Sequence, residues 1–438
     1  MNMIEVKEAA QRAVLFGTDR PENRYWGDQP LEELGRLAQT AGAVVTGRII
    51  QRLRKIDPKT YIGSGKAEEI KTALEAEGAD LAIFDDELSP TQARNLEELF
   101  DVQVLDRSEL ILDIFAAHAR TTESKLQVEL AQLEYLLPRL RNMWVHLSRI
   151  RGGIGLRGPG ETQLETDRRI IQKRITSLKR KLQKIATQHT LRMSSRSGIF
   201  SFALVGYTNA GKSSLLSALT GKALTVRDQL FSTLDTATRK LVLDDSAQEI
   251  LLTDTVGFIS RLPHHLVASF KATLEEVSQA DYLLVVVDIS NPHFSERIRV
   301  VEKVLEEIGA GDVERTFVFN KTDLAAERQI IFNTAESYPG SVFSSAVTGE
   351  SGLRHLRDHL NRIQQAQEAE FSIDLQPQEG DLLAAFHRMG RVLDSRLQNG
   401  VLQLRVRMRK SLAQRLLKDT PYAGKITFSG GNLDQARN

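Results

Sequence analysis

Short apolar runs alternate along the first 118 residues with stretches in which apolar positions recur every three or four residues. Val14-Leu15-Phe16, Ala43-Val44-Val45, Leu81-Ala82-Ile83-Phe84 and Val102-Gln103-Val104-Leu105 read as strands, and Ala67–Glu77 and Thr91–Leu99 as helices between them. Strand and helix in alternation predict a small parallel α/β unit over 1–118. The period then changes. Leu126, Leu130, Leu133, Leu136, Leu137 and Leu140 recur at helical spacing from Glu123 to about Leu147, and Ile171, Ile175, Leu178, Leu182 and Ile185 do so from Glu165 to about Thr187. Two long helices follow, and with the glycine-rich run 151–160 between them they predict an antiparallel helical hairpin over 119–197. From 198 to 364 strands and helices alternate again, with Tyr282–Val287 as a fully buried central strand. Beyond the polar stretch Gln364–Gly380, a helix from Asp381 to about Leu397, an alternating strand Val401–Met408 and a last helix and strand predict a small α+β domain over 365–438. The expected fold class is α/β, with an antiparallel helical hairpin between the two α/β units and a small α+β domain at the end.

Composition narrows this picture. A chain of 438 residues with 41% hydrophobic content can build two to four domains with their own cores. It has no apolar run of membrane-crossing length, and its first residues, Met-Asn-Met-Ile-Glu-Val-Lys-Glu, carry acids where a signal peptide is basic and then apolar. A cytoplasmic, monomeric protein is expected. Without cysteine there is no disulfide framework and no thiolate zinc site.

The net charge of +1 conceals an asymmetry. Between Arg139 and Arg196 fifteen Lys and Arg face three acids, a local excess of +12 that leaves −11 for the rest. Such a segment is suited to a polyanion. Nucleic acid is favoured; a peripheral membrane surface is the other anionic candidate, but it calls for an apolar stripe with exposed aromatics, and only Trp144 is near. Arg151 and Arg157 at the glycine-rich tip, with Arg168, Arg169 and Lys173 on the second helix, are the candidate RNA contacts.

Five motifs carry the chemistry. Gly206-Tyr207-Thr208-Asn209-Ala210-Gly211-Lys212-Ser213 has the spacing of a phosphate loop, in which backbone N–H groups close around phosphates, Lys212 reaches the terminal ones and Ser213 offers a hydroxyl to Mg²⁺. Asn320-Lys321-Thr322-Asp323 selects the base: a carboxylate at Asp323 accepts from both guanine N1–H and the 2-amino group, and adenine has the wrong donors. Asp254-Thr255-Val256-Gly257 follows an apolar run, as suits a strand-end Asp in the Mg²⁺ shell and a glycine N–H at the γ-phosphate. Phe231-Ser232-Thr233-Leu234-Asp235 is the candidate switch segment, with Thr233 as second metal hydroxyl and Thr236 and Thr238 as rivals. Ser345-Ala346-Val347 fits a loop reaching guanine O6. Lys212 and Gly257 are the candidate catalytic groups. Phe258 stands where many small GTPases carry a water-orienting glutamine, so slow unassisted turnover is expected. Gly63-Ser64-Gly65-Lys66 lacks the first glycine and the trailing hydroxyl of a phosphate loop and reads as a turn.

The run Arg151-Gly-Gly-Ile-Gly-Leu-Arg-Gly-Pro-Gly-Glu-Thr-Gln-Leu-Glu-Thr-Asp-Arg-Arg169, with Tyr61–Lys66 before it and Gly206–Ser213 after it, resembles the HflX family of ribosome-associated GTPases over residues from about 10 to 365. The resemblance implies binding of GTP and GDP, docking on the large ribosomal subunit and its rRNA through the N-terminal region, and splitting of stalled or stress-idled ribosomes. Asn209 also resembles the asparagine of potassium-activated GTPases, which implies K⁺ beside Mg²⁺. The rival class is a GTPase of RNA modification or ribosome assembly, or one linked to a membrane; no cysteine nucleophile or cofactor loop is visible for a modification enzyme.

Overall fold

The computed structural model describes residues 10–20, 30–143, 159–195, 199–221, 230–231, 233–243, 249–261, 276–325, 327–376, 383–384, 386–387, 390–398, 400–410 and 426–428. The N-terminal unit runs β1 (Arg12–Asp19), α1 (Glu32–Thr40), β2 (Val44–Arg52), α2 (Ser64–Glu77), β3 (Leu81–Phe84), α3 (Pro90–Phe100), β4 (Gln103–Asp106) and α4 (Arg107–His118). Its four strands are parallel in the order β2-β1-β3-β4. Position explains composition: β3 lies inside the sheet with every residue buried, whereas β2 is an edge and alternates. Local chemistry sets the helix starts. Ser89 and Gln92 form a reciprocal capping box with Pro90 in the first turn of α3, and the Asp106 carboxylate accepts from the Glu109 N–H to open α4. The Gly63–Lys66 run opens α2, with Lys66 turned to Glu69 at 2.6 Å.

Two long helices, α5 (Thr122–Met143) and α6 (Pro159–Ser195), pack through Leu130, Ile175 and Leu178, flanked by Leu126, Leu133, Leu137, Ile171 and Leu182. Arg174 grips Glu129 at 2.6 Å and Lys179 reaches Glu134 at 2.8 Å beside that seam. The segment 151–158, including Arg151 and Arg157, lies outside the described residues, as do Trp144 and Ser232.

The third unit contains β5 (Phe200–Gly206), α7 (Lys212–Thr220), β6 (Ala237–Val242), β7 (Glu249–Asp254), β8 (Tyr282–Asp288), α8 (Phe294–Glu307), β9 (Arg315–Asn320), α9 (Arg328–Ser337), β10 (Val342–Phe343) and α10 (Glu350–Ala366). Its sheet order is β10-β9-β8-β5-β7-β6, parallel except for β6. Functional loops therefore gather at the carboxyl ends of β5, β7 and β9, where open α/β sheets bind ligands. One apolar cluster joins this unit to the N-terminal one: Leu34, Leu37, Ile111 and Phe115 belong with Phe231, Val256, Phe258 and Val285.

The C-terminal region departs from expectation. The polar stretch after α10 holds β11 (Glu368–Leu375), and the last part of the helix expected over Asp381–Leu397 is instead β12 (Arg391–Gln398). Among the described residues there, 383–384 and 386–387 are helical. Antiparallel pairing with β13 (Val401–Arg409) overrides the helix-like charge spacing, and a bulge between Val392 and Asp394 breaks the alternation that marks a strand. β14 (Ile426–Phe428) completes the order β12-β13-β11-β14; the last expected helix falls outside the described residues. Arg409 anchors this sheet to the base of the third unit through Asp281 at 2.8 Å and the Ile199 carbonyl at 3.0 Å. Among the described residues no helix is long and apolar enough to cross a membrane.

Candidate functional site

Glycine is required at both ends of the 206–213 loop. A Cβ at Gly206, whose φ is +151°, would lie 2.2 Å from the Val286 carbonyl oxygen, and one at Gly211, φ +92°, would lie 2.2 Å from Asn320 Nδ2. Asn209 also has positive φ, a conformation asparagine tolerates better than most side chains. The loop so shaped leads into α7, whose first N–H groups have no intrahelical acceptors and face the loop. Lys212 is buried, and its Nζ donates to the carbonyls of Gly206 at 3.2 Å and Tyr207 at 3.1 Å. Burial pushes its ammonium down to about 8, with the Asp254 charge working the other way. An anion placed there would stabilise the charged form.

Three oxygen-bearing side chains converge beside Lys212. The Ser213 hydroxyl donates to Asp254 Oδ2 at 2.5 Å and lies 2.7 Å from Thr233 Oγ1. Thr238 turns to Thr253 instead, at 3.1 Å. Asp254 is fully buried at the end of β7, its pKa raised by burial, and its Oδ1 has no hydrogen-bond partner among the described residues. Two hydroxyls and a buried carboxylate with an unoccupied lone pair fit a hard, oxygen-liganded cation such as Mg²⁺. Next along the chain, the Thr255 hydroxyl donates to the Leu204 carbonyl at 2.8 Å, Val256 enters the core, and Gly257 lies against Thr208.

A third cluster sits at the end of β9. Asn320 Nδ2 donates to the Ala210 carbonyl at 2.9 Å, tying the base-side motif to the phosphate loop. Lys321 pairs with Asp288 at 2.8 Å. The Thr322 N–H and hydroxyl both donate to the Ser344 carbonyl, at 3.3 and 3.1 Å, and the buried Ser345 hydroxyl donates to Asp323 Oδ1 at 2.5 Å. Ala346 packs on the core, whereas Val347 is 84% exposed beside Leu324 at 61%, leaving apolar surface around the exposed Asp323 carboxylate.

Three members of the candidate switch segment face elsewhere. Asp235 accepts from the backbone N–H groups of Arg120 and Thr121 and from the Thr121 hydroxyl at 2.6 Å, at the start of α5. Phe231, with φ +55°, packs edge-on against Phe115 at 4.8 Å, its N–H donating to Thr208 Oγ1 at 3.1 Å, while Leu234 is buried in the same cluster. Sequence reasoning missed this docking of Phe231 and Leu234 on the N-terminal unit and of Asp235 at the start of α5, and it missed Asp288 as the partner of Lys321. Away from the loops, Arg168, Arg169 and Lys173 share one face of α6 with Arg180, Lys181 and Lys184, lining a shallow open trough.

Family models match the greater part of the first three units: "GTP-binding GTPase N-terminal" over residues 28–116, "GTP-binding GTPase Middle Region" over 118–196 and "50S ribosome-binding GTPase" over 201–321. The chain is 51% identical to GTPase HflX of Caldanaerobacter subterraneus over 74% of its length and 75% of that protein, and 42% identical to GTPase HflX of Escherichia coli over 96% and 98%. Among solved structures, a GTP-binding protein from Sulfolobus solfataricus in complex with GDP is 26% identical, with 80% of this chain and 98% of that one covered at a TM-score of 0.42. The chain belongs to the HflX family of GTPases, and it binds guanine nucleotide and hydrolyses GTP.

Proposed function

We propose that this GTPase is a Mg²⁺-dependent switch that binds the large ribosomal subunit through its N-terminal and helical units and splits stalled or idle ribosomes. The observation that carries the reading is the union, in one chain, of a 50S ribosome-binding GTPase match with a cationic face on α6 set apart from every nucleotide motif. In this reading residues 1–118 dock, 119–197 meet rRNA, 198–364 hydrolyse GTP and 365–438 form an accessory sheet.

At the site, the N–H groups of 207–213 hold the β-phosphate and Lys212 neutralises the terminal one. Ser213 and Thr233 would ligate Mg²⁺, with Asp254 ordering its shell, and the ion held there would supply charge stabilisation to the phosphates. The Gly257 N–H meets the γ-phosphate in the triphosphate state, Asp323 reads the guanine edge, and the 345–347 loop lies along its O6 side. Phe258 is 2% exposed within the core and carries no polar atom to orient water, so hydrolysis is slow until a docked partner completes the site. The test is cosedimentation with purified large subunits. Retention with a non-hydrolysable GTP analogue and release with GDP is expected; equal retention with either nucleotide removes the switch, and no retention removes the ribosome.

A further inference from the structure

Asp288 closes β8 directly opposite Asn320, the last residue of β9, and lies outside every nucleotide motif. Its two carboxylate oxygens have different partners. Oδ1 accepts from the Ser290 N–H at 3.1 Å and from the Ser290 hydroxyl at 2.6 Å, which closes the turn after β8. Oδ2 takes the Lys321 ammonium at 2.8 Å. The Ile289 N–H donates to the Asn320 carbonyl at 3.1 Å, so the same turn is laced through its backbone to the start of the base-side motif. The Asp288 side chain is 12% exposed and that of Lys321 24%. Water is largely kept from the pair, and the attraction is stronger than between charges on an open surface.

Lys321 depends on such a restraint. Its φ is +63°, in the left-handed region that side chains other than asparagine and aspartate enter only where the surroundings hold them. Asn320 before it is tied to the Ala210 carbonyl at 2.9 Å, and the Thr322 hydroxyl after it to the Ser344 carbonyl at 3.1 Å. The lysine is thus fixed at its backbone from both sides and at its far end by Asp288. The stem between these points crosses the phosphate loop, with Cε 4.0 Å from where a Cβ on Gly211 would stand, an ordinary van der Waals contact. A chain of methylenes otherwise free to turn becomes an ordered apolar strip joining the phosphate loop to the base-side motif. Nucleotide binding then does not have to order it.

We infer that Asp288 is a positioning residue for guanine nucleotide: by holding the Lys321 ammonium it keeps the lysine stem across Gly211 and prolongs the residence of the bound nucleotide, with no part in hydrolysis. The inference rests on the assignment of Asn320–Asp323 to the base. Because the pair is made before nucleotide arrives, its contribution is common to ground and transition states, so its loss raises KM and leaves kcat alone.

The test measures release of fluorescent GDP after a chase with unlabelled GDP, beside KM and kcat for GTP hydrolysis, in the wild type, Asp288→Asn, Lys321→Met and the double variant. Asp288→Asn keeps an oxygen for Ser290 and turns a donor on the ammonium, whereas Lys321→Met keeps the stem and unties it from the other end, so either variant reports where the other folds poorly. Ser290→Ala, which loosens the turn and leaves the ion pair in place, is the control. Each single variant is expected to release GDP about tenfold faster and to raise KM about as much, with kcat within about twofold of wild type. In the Lys321→Met background Asp288→Asn should add nothing, and the control should match wild type. An undiminished effect of Asp288→Asn in that background, or the same effect from Ser290→Ala, would mean that Asp288 only supports the turn. Unchanged release in both single variants, or a fall in kcat at constant KM, would equally overturn the inference. A wild type that binds ADP as tightly as GDP would instead remove the base assignment, and the inference with it.

Discussion

Replacing Asp323 by Asn isolates base recognition from everything else in the site. The Ser345 hydroxyl is buried and donates to Asp323 Oδ1 at 2.5 Å, and the preceding residue is pinned twice to the Ser344 carbonyl, so the side chain at 323 has little freedom to turn. An asparagine keeps its Oδ1 on Ser345 and thereby points its amide nitrogen at the base edge. There two guanine donors, N1–H and the 2-amino group, meet a donor. A lost charge-assisted pair costs about 1.5–3 kcal/mol and an unsatisfied group about 1–3 kcal/mol; since the two are not additive, about 2–4 kcal/mol is expected. At 1.4 kcal/mol per decade that is roughly a 30- to 700-fold loss of guanine-nucleotide affinity. Xanthine carries a carbonyl in place of the 2-amino group and accepts from the new amide, so xanthosine diphosphate should bind the variant better than GDP does. Fluorescent-nucleotide titration, with competition by unlabelled GDP and xanthosine diphosphate, reads both effects. GDP binding within about threefold of wild type would refute the reasoning, because one bidentate charged pair cannot be worth so little.

Gly211→Ala should lower nucleotide affinity by more than about tenfold and lower the melting temperature by a few degrees, because its Cβ displaces Asn320 from the Ala210 carbonyl and strains a residue at φ +92°; calorimetric titration beside a thermal melt checks it. Glu109 is held protonated up to about 7, first by burial and then by the charges of Asp106 and Asp113. Its folded pKa lies above the unfolded value, so the protonated side chain contributes stability that is complete below about 4.5 and lost as pH rises through about 7. Glu109→Gln should flatten that part of the pH–stability curve and stabilise the protein above pH 7 by about 2 kcal/mol; urea melts at acid and neutral pH would contradict this if the two proteins ran parallel.

The nucleotide motifs were legible because each depends on residue types that few other structures require. Gly206 and Gly211 have no steric alternative, and Asn320 is fixed by its bond to the Ala210 carbonyl. The inner strands β3 and β8 were legible because burial on both faces leaves no other composition. The docking of 231–235 was not legible, since Phe231 against Phe115 and Asp235 against Thr121 join positions 116 and 114 residues apart with no local signature. Tyr207 reads as an unconstrained position within the phosphate loop, and only the fold brings its hydroxyl to Glu33. In the C-terminal sheet β11 did carry a signal, with Ala369, Phe371, Ile373 and Leu375 alternating against Glu370, Ser372 and Asp374. The bulged, arginine-rich β12 carried none, and its state is decided by its neighbour.

Hydrolysis of GTP, followed by phosphate release with and without purified large ribosomal subunits across a salt series, bears most directly on whether this GTPase is a ribosome-driven switch. The expected result is slow turnover alone and a marked acceleration by large subunits that fades as salt rises, with the fade made shallower by replacing Arg168, Arg169 and Lys173 with alanine, since fewer counterions are then released on docking. A rate that large subunits leave unchanged, or an acceleration indifferent both to salt and to those three residues, would contradict it.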